Sequence, residues 1–249
     1  MRKPIIAGNW KMHKTVSEAL ELCERLDRAV QDTDAEVVVC PPFTALSAVC
    51  GLGMSKVKIG AQNLSTAESG AYTGEISPVM LVDVCCSYVI IGHSERRQLF
   101  GETDEMVNQK VQLALKHHLR PIVCVGETLE QRRADQTEAV VVSQTKAAFA
   151  GVSKERAPEI VVAYEPIWAI GTGETASAED ANAVIGTIRK TLAEIYDQET
   201  ADQIRIQYGG SVKPSNIKEL MAQPEIDGVL VGGASLDFDD FTAIVRYNE

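Results

Sequence analysis

A glutamate and the loop after it form the stretch of this sequence most suited to chemistry. Glu165 follows the apolar run 160–164, a pattern typical of a strand buried on both faces. Residues 167–170 are too apolar for an ordinary surface loop, and the glycines after them leave the far end free to turn. We interpret Glu165 as a base and residues 166–176 as a lid that excludes water. A solvated glutamate beside a partly packed loop is the alternative.

Four more polar residues follow short apolar runs. Asn9 and Lys11 lie at the end of the first run, and His93 and Glu95 come after the fourth. Together with Glu165 they would provide a base, an electrophile and a cation for stabilising negative charge. Each also has a simpler explanation: Lys11 as a solvated strand end, His93 as a core histidine, and Glu95 as a helix-start carboxylate. If Glu95 does have a functional role, it could orient Lys11.

Two glycine pairs predict an anion site. Residues 209–211 (Gly-Gly-Ser) and 232–233 (Gly-Gly) follow consecutive strand candidates, so main-chain N–H groups could approach a phosphate there, including those of Ser211, Gly232 and Gly233. Gly171 could add a third N–H from the lid. Tight turns that need glycine are the alternative. The sequence has no nucleotide P-loop here, because the Gly-Lys-Ser/Thr ending is missing.

The elements that must position these residues alternate along the chain. Eight runs are strand candidates, at residues 5–11, 37–41, 57–62, 88–92, 121–125, 160–165, 204–208 and 228–232. Capping residues mark helix starts between them: Thr15 with Glu18, Thr128 with Gln131, and Ser177 with Asp180. After Ser177, apolar residues recur at helical spacing and predict one buried stripe.

Eight strand–helix units in 249 residues match a closed (β/α)8 barrel, an α/β fold of eight parallel strands ringed by helices. No Gly/Ser/Pro-rich linker divides them, so we expect a single domain, residues 1–249. A doubly wound open sheet is the structural alternative, but it favours a glycine-rich fingerprint after the first strand, where this chain has polar residues. In a barrel, the polar residues named above would share the C-terminal face.

Composition limits the partners. Lysine and arginine number 24 against 35 aspartates and glutamates, and the net charge of -11 disfavours binding to nucleic acid or an anionic membrane. No run reaches membrane-spanning length and no secretory signal precedes the first strand, so we expect a cytoplasmic protein.

The remaining reactive residue types predict structure more than chemistry. Six cysteines show no C-x-x-C pairing and are predicted to be buried thiols, with neither a disulfide framework nor a metal site. The adjacent histidines 117–118 are predicted to be a surface pair near a helix C-terminus. The arginines at 132–133 are predicted to lie on a solvated helix face.

Read together, these motifs resemble the triosephosphate isomerase family over nearly the whole chain. The matching segments are Gly8-Asn9-Trp10-Lys11-Met12, Ile91-Gly92-His93-Ser94-Glu95-Arg96-Arg97, Ala163-Tyr164-Glu165-Pro166, Trp168-Ala169-Ile170-Gly171-Thr172-Gly173, Tyr208-Gly209-Gly210-Ser211-Val212 and Gly232-Gly233-Ala234-Ser235-Leu236. The resemblance implies a TIM barrel and an isomerase of glycolysis and gluconeogenesis. It also implies a homodimer, because residues 70–77 resemble the family's interface loop, which reaches into the partner near Lys11.

The resemblance further implies the reaction and its residues. A small phosphorylated triose would pass between dihydroxyacetone phosphate and glyceraldehyde 3-phosphate through an enediolate, without a cofactor. Glu165 would be the base, His93 the neutral electrophile that is the established assignment in this family, and Lys11 the electrostatic stabiliser, aided by Asn9. The phosphate would bind main-chain N–H groups in the lid and in the two glycine loops.

Two departures from the family pattern accompany the resemblance. Glu174 occupies a position where many members carry lysine, which changes the charge at the end of the lid. His13 and Lys14 differ from the commoner small or polar residues beside the expected dimer contact.

Two other functions remain as alternatives, a Schiff-base aldolase and a noncatalytic phosphate-binding protein. Borohydride trapping with substrate tests for the aldolase, and phosphate binding that survives Glu165→Gln would support the noncatalytic protein.

Overall fold

The computed structural model describes residues 2–170 and 176–249. Within these ranges eight parallel strands close into a barrel in chain order, and the last strand pairs with the first. The strands are β1 Ile5–Asn9, β2 Glu36–Cys40, β3 Val57–Ala61, β4 Cys86–Ile91, β5 Arg120–Val125, β6 Val161–Tyr164, β7 Arg205–Tyr208 and β8 Gly228–Val231. The predicted (β/α)8 fold is confirmed, and the predicted strand ends differ by one or two residues.

The helices lie between and outside these strands. They are α1 Val16–Ala29, α2 Phe43–Cys50, α3 Pro78–Asp83, α4 Ser94–Phe100, α5 Asp104–Lys116, α6 Leu129–Arg133, α7 Thr137–Phe149, α8 Ala178–Ile195, α9 Gln198–Ala201, α10 Ile217–Met221 and α11 Phe238–Val245. Thr15 and Thr128 form reciprocal capping boxes with Glu18 and Gln131, and the Ser177 hydroxyl caps α8. In the described part of the chain, no helix is long and apolar enough to cross a membrane.

Both faces of the barrel wall are buried, which explains why the strand sequences are continuously apolar. Ile5, Ala7 and Val38 belong to the cluster inside the barrel, whereas Ile6 and Val37 belong to the layer between strands and helices. The predicted stripe of α8 is largely buried in that outer layer, at Ala181, Ile185, Ile188 and Leu192. The strands thus form a rigid frame whose C-terminal ends hold the loops in place.

One cysteine pair departs from the prediction. Cys50, at the end of α2, and Cys85, just before β4, form a disulfide with Cα atoms 5.5 Å apart. The other four cysteines are free and buried, as predicted. Cys85 has a left-handed backbone with φ of 62°. Because the two residues are 35 positions apart, their approach depends on how the end of α2 lies against the turn between α3 and β4, which no local sequence pattern records.

Reducing this disulfide is expected to lower the free energy of unfolding by about 3–4 kcal/mol, because a loop of this length gains chain entropy when it is released in the unfolded state. Thermal unfolding followed by circular dichroism, with and without dithiothreitol, measures the effect. Cys50→Ala is the matched variant and should unfold near the temperature of the reduced wild type under both conditions. Identical unfolding curves for oxidised and fully reduced wild type would contradict the expectation.

Candidate active site

The polar residues predicted at strand ends meet at a cavity of about 620 Å³. Its lining includes Asn9 and Lys11 at the end of β1, His93 after β4, Glu165 after β6, Ser211 after β7, and Gly232 and Gly233 after β8. Glu95 joins the group through its contact with Lys11. Gly171, also predicted here, lies outside the described residues. The barrel therefore brings together residues that are far apart in sequence.

Glu165 is fixed at the inner end of this cavity. Its side chain is buried, with the residue only 2% exposed. The Ser94 N–H donates to Oε2 at 2.9 Å, and His93 Nε2 lies 3.1 Å from Oε1. The Cys124 thiol is buried beside this carboxylate. Burial is the main cause that raises the pKa of the thiol, and the charge of Glu165 is the second, so the thiol keeps its proton. Both carboxylate oxygens are therefore held by the start of α4, one by its N-cap His93 and the other by its first residue, Ser94.

His93 uses its ring to cap α4. The Glu95 N–H donates to Nδ1 at 3.2 Å, so Nδ1 must present a lone pair. That hydrogen bond assigns the ring proton to Nε2, which faces the Glu165 carboxylate. Each ring nitrogen of His93 therefore has a partner, Nδ1 at the Glu95 N–H and Nε2 at the Glu165 carboxylate.

Lys11 brings the positive charge to the cavity. Its ammonium donates to Glu95 Oε1 at 2.6 Å, and the lysine side chain is 27% exposed. Its main-chain N–H donates to Asn9 Oδ1 at 3.1 Å. Since Glu95 also supplies the N–H that orients His93, one residue of α4 contacts both the cation and the imidazole. The pair leaves Lys11 partly accessible to an anion entering the cavity.

The two glycine loops differ in why they need glycine. A methyl group added at Gly209 would lie 2.9 Å from Glu165 Cγ, and one at Gly210 would lie 2.2 Å from the Tyr208 hydroxyl oxygen. Packing therefore requires glycine at both of these positions. At Gly232 the nearest atom would be 3.8 Å away, and at Gly233 no atom of the described chain lies within 4 Å. The second loop thus leaves bare backbone beside open space in the cavity, as an anion site requires.

Comparison with known proteins agrees with this geometry. The family model described as triosephosphate isomerase matches residues 4–248. This chain belongs to the triosephosphate isomerase family.

Relatives in this family resemble the chain along its full length. A triosephosphate isomerase from Caldanaerobacter subterraneus subsp. tengcongensis is 59% identical over 248 residues, covering 99% of this chain and 100% of the relative. Those from Chloroflexus aurantiacus and Clostridium botulinum are 58% and 56% identical, each covering 99% of this chain and 100% of the relative. The resemblance read from the motifs is confirmed, and so is the enzyme class.

Glu127 was missed by the sequence reasoning. It follows β5, is fully buried, and accepts hydrogen bonds from Trp168 Nε1 at 2.9 Å and the Tyr164 hydroxyl at 3.2 Å. Its carbonyl accepts the Ile167 N–H at 3.1 Å. Its position after a strand was a usable signal, since that is where the predicted site residues also lie. Glu127 therefore anchors the first residues of the predicted lid segment to the barrel wall.

The prediction of a solvated face at 132–133 is wrong for Arg132. Its guanidinium stacks 4.7 Å from the centre of a Trp168 ring and lies 3.6 Å from Glu127. Asp180 lies 3.5 Å away on the other side. Arg132 thus covers the anchoring contacts of the lid segment.

A buried ion pair supports the loop that carries His93. Glu102 accepts the Gly92 N–H at 3.0 Å, the Arg96 Nε at 2.9 Å and the Lys110 ammonium at 2.8 Å. Burial alone would raise its pKa, but the hydrogen bonds and charges of Lys110 and Arg96 outweigh burial and hold the pKa of Glu102 below its ordinary value. The ionised carboxylate fixes the backbone immediately before the imidazole.

Proposed function

We propose that Glu165, His93 and Lys11 interconvert dihydroxyacetone phosphate and glyceraldehyde 3-phosphate in this chain, through an enediolate. The observation that carries the proposal is the 3.1 Å contact between Glu165 Oε1 and His93 Nε2 at the edge of the cavity. A carboxylate base and an N–H donor side by side are what the transfer of a proton between adjacent carbons needs.

The proton transfer has two halves. Glu165 takes a proton from the carbon beside the carbonyl, and the electron pair of that C–H bond moves to form the carbon–carbon double bond while charge develops on the carbonyl oxygen. His93 Nε2–H and the Lys11 ammonium stabilise this oxygen, and Asn9 donates a further hydrogen bond. The former carbonyl oxygen gains a proton, and the hydroxyl on the neighbouring carbon loses one, so that no net proton is consumed. The protonated Glu165 then returns its proton to the carbon that carried the original carbonyl, and the neighbouring oxygen becomes the new carbonyl. The reaction as proposed uses no cofactor and consumes no other reactant.

The phosphate is assigned to the two glycine loops. Ser211, Gly232 and Gly233 line the cavity, and open space beside the last two lets their N–H groups approach an anion. Gly171 is proposed to complete the cradle from the lid. Lys11 supplies the local positive charge that a chain of net charge -11 otherwise lacks. Main-chain binding leaves the side chains free for the chemistry.

The segment 166–176 is proposed to be a closing lid. Ile170 lines the cavity, and Glu127 holds the beginning of the segment. Closure would keep water from an enediolate that can otherwise eliminate its phosphate. Shortening residues 167–172 is expected to raise the release of inorganic phosphate relative to isomerisation, measured by a phosphate assay beside the coupled rate assay. An unchanged product ratio would remove this role from the lid.

The working enzyme is proposed to be a cytoplasmic homodimer that binds neither nucleic acid nor membrane. Large apolar side chains are exposed in the 70–77 loop, shortly after it, and next to Lys11: Tyr72 and Met80 are each 55% exposed, and Met12 is 94% exposed. A second copy that covers them would also enclose the loop carrying Lys11. Light scattering should give twice the chain mass of 27.0 kDa, and a fully active monomer would refute the proposal.

Proton NMR of purified protein with dihydroxyacetone phosphate in D₂O tests the proposed chemistry. We expect glyceraldehyde 3-phosphate to form and deuterium to enter the carbon that exchanges its proton, because the base can exchange its proton with solvent before returning it. Borohydride added with substrate should trap no adduct on Lys11. If neither product nor deuterium exchange appeared, the proposed reaction would be wrong.

A further inference from the structure

Residues 209–213 form the loop after β7, and this loop carries the Ser211 N–H that is proposed to bind phosphate. The loop is fixed at its start, because the Gly209 N–H donates to the carbonyl of Tyr164 at 2.7 Å. Ser211 lines the cavity, and no residue in the described ranges 2–170 and 176–249 accepts its N–H. The loop therefore presents a main-chain donor to an anion in the cavity.

One side chain, that of Asn216, holds the other part of this loop at two points. Its Nδ2 donates to the Ser211 carbonyl at 3.0 Å, and its Oδ1 accepts the Lys213 N–H at 2.8 Å. The donor and the acceptor of one amide thus bridge two peptide groups, which restricts the backbone on the C-terminal side of Ser211. With Gly209 fixed on the other side, the Ser211 N–H lies between two anchored ends.

The position of Asn216 in the chain makes this use of its side chain informative. Asn216 is the residue before α10, where an asparagine ordinarily accepts an N–H of its own helix. Here the side chain makes no such capping hydrogen bond and bonds to the preceding loop instead. The helix thus goes without a side-chain cap, while residues 211–213 gain two hydrogen bonds. This arrangement favours a role in the loop over a role in the helix.

We propose that Asn216 is a positioning residue that directs the Ser211 N–H at the phosphate of the substrate. Asn216 does not itself line the cavity, so it acts through the main chain of Ser211. The inference rests on the proposed binding of phosphate by main-chain N–H groups. It deepens that function, because it makes the phosphate, and not the reacting carbons, the part of the substrate that depends on Asn216.

The size of the effect is limited by one hydrogen bond to a charged group. Losing such a hydrogen bond outright costs roughly 10- to 150-fold in binding. Without Asn216 the loop should still reach the productive conformation part of the time, because Gly209 stays fixed to Tyr164. Asn216→Leu removes both hydrogen bonds and keeps a side chain of similar size. We therefore expect kcat/KM for both triose phosphates to fall about three- to thirtyfold in this variant.

A neutral substrate separates positioning from general structural damage. D-Glyceraldehyde has the same reacting carbons as glyceraldehyde 3-phosphate but lacks the phosphate. Proteins purified from a host without its own isomerase would be assayed with both substrates, and their affinity for inorganic phosphate would be measured by calorimetry. Asn216→Leu should lower kcat/KM for glyceraldehyde 3-phosphate and the affinity for inorganic phosphate, and should leave kcat/KM for D-glyceraldehyde unchanged. Equal losses with both substrates, no loss with either, or an unchanged phosphate affinity would overturn the proposal.

Asn108→Leu is the matched control for this experiment. Asn108 is also partly buried, and its Nδ2 donates to the carbonyls of Ala148 and Ala150 at 3.2 and 2.8 Å, away from the cavity lining. This variant should keep the wild-type kcat/KM and phosphate affinity. Asn216→Ala takes the place of Asn216→Leu if circular dichroism shows that the leucine variant does not fold.

Failure of the proposed reaction and failure of this inference give different results. A wild type that isomerises neither triose phosphate would refute the reaction, and the phosphate affinities would then still decide the role of Asn216. An active wild type together with an Asn216→Leu variant of equal activity and phosphate affinity would refute only the role of Asn216.

Discussion

Replacing Glu165 by glutamine is expected to lower kcat by about 10²- to 10⁴-fold, the range typical of a general base. Glutamine keeps the size of the side chain, and its amide oxygen can still accept the Ser94 N–H that now holds Oε2. It cannot accept the substrate proton as a carboxylate does. The loss should therefore fall mainly on kcat, because the glycine loops proposed to bind the phosphate are untouched.

Steady-state rates in both directions measure this loss, and the deuterium exchange described above should decrease by a similar factor. Glu159→Gln is the matched control, since it removes a carboxylate just before the same strand, away from the cavity lining. It should leave the rate unchanged. Glu165→Asp retains a base on a shorter side chain and should lose less activity than Glu165→Gln. A Gln variant with near-normal turnover would show that another group removes the proton.

The fold could be predicted from sequence because its signals are local. The run 160–164 and its counterparts are apolar without alternation, which is what strands covered on both faces require. The threonine caps of α1 and α6 lie three residues from their partners, so the pattern is visible in a short window. Barrel closure then follows from the number of units, and it places His93 and Glu165 at one end.

What could not be predicted depends on contacts between distant segments. Cys50 meets Cys85, and Arg132 stacks on Trp168, only because helices and loops from different units pack together. A cysteine or arginine in a helical pattern looks the same whether its partner is water or another element. Lys11 has a left-handed backbone, with φ of 51°, that is hidden for a related reason, since no glycine marks it and its carbonyl is held by Gln62.

The catalytic roles of the site residues also lie beyond the motifs alone. Sequence reasoning left His93 open between an electrophile and a core histidine, and burial by itself fits either explanation. The Glu95 N–H at Nδ1 favours the electrophile, because it leaves the only ring proton on the side of Glu165. The same hydrogen bond makes His93 the N-cap of α4. A substitution of His93 must therefore separate the loss of helix stability from the loss of catalysis.

Replacing His93 by alanine or by asparagine is expected to lower kcat by about 10²- to 10³-fold, the usual loss when one donor to a developing oxyanion is removed. Both variants lack the Nε2–H beside Glu165. They should differ in stability: alanine also removes the acceptor for the Glu95 N–H, which costs roughly 0.5–2 kcal/mol at a helix start, whereas asparagine can still cap α4. Steady-state kinetics and thermal unfolding of both variants measure the two effects.

Comparing these two variants decides whether the imidazole acts on the substrate or only on the helix. If His93 served only to cap α4, asparagine would restore both stability and turnover, because it replaces the lost acceptor. If the imidazole stabilises the enediolate, asparagine should recover the unfolding temperature while kcat stays as low as in the alanine variant. A wild-type rate in His93→Asn would therefore contradict the assignment of Nε2–H as the donor, and would leave Lys11 and Asn9 as the groups that stabilise the oxyanion.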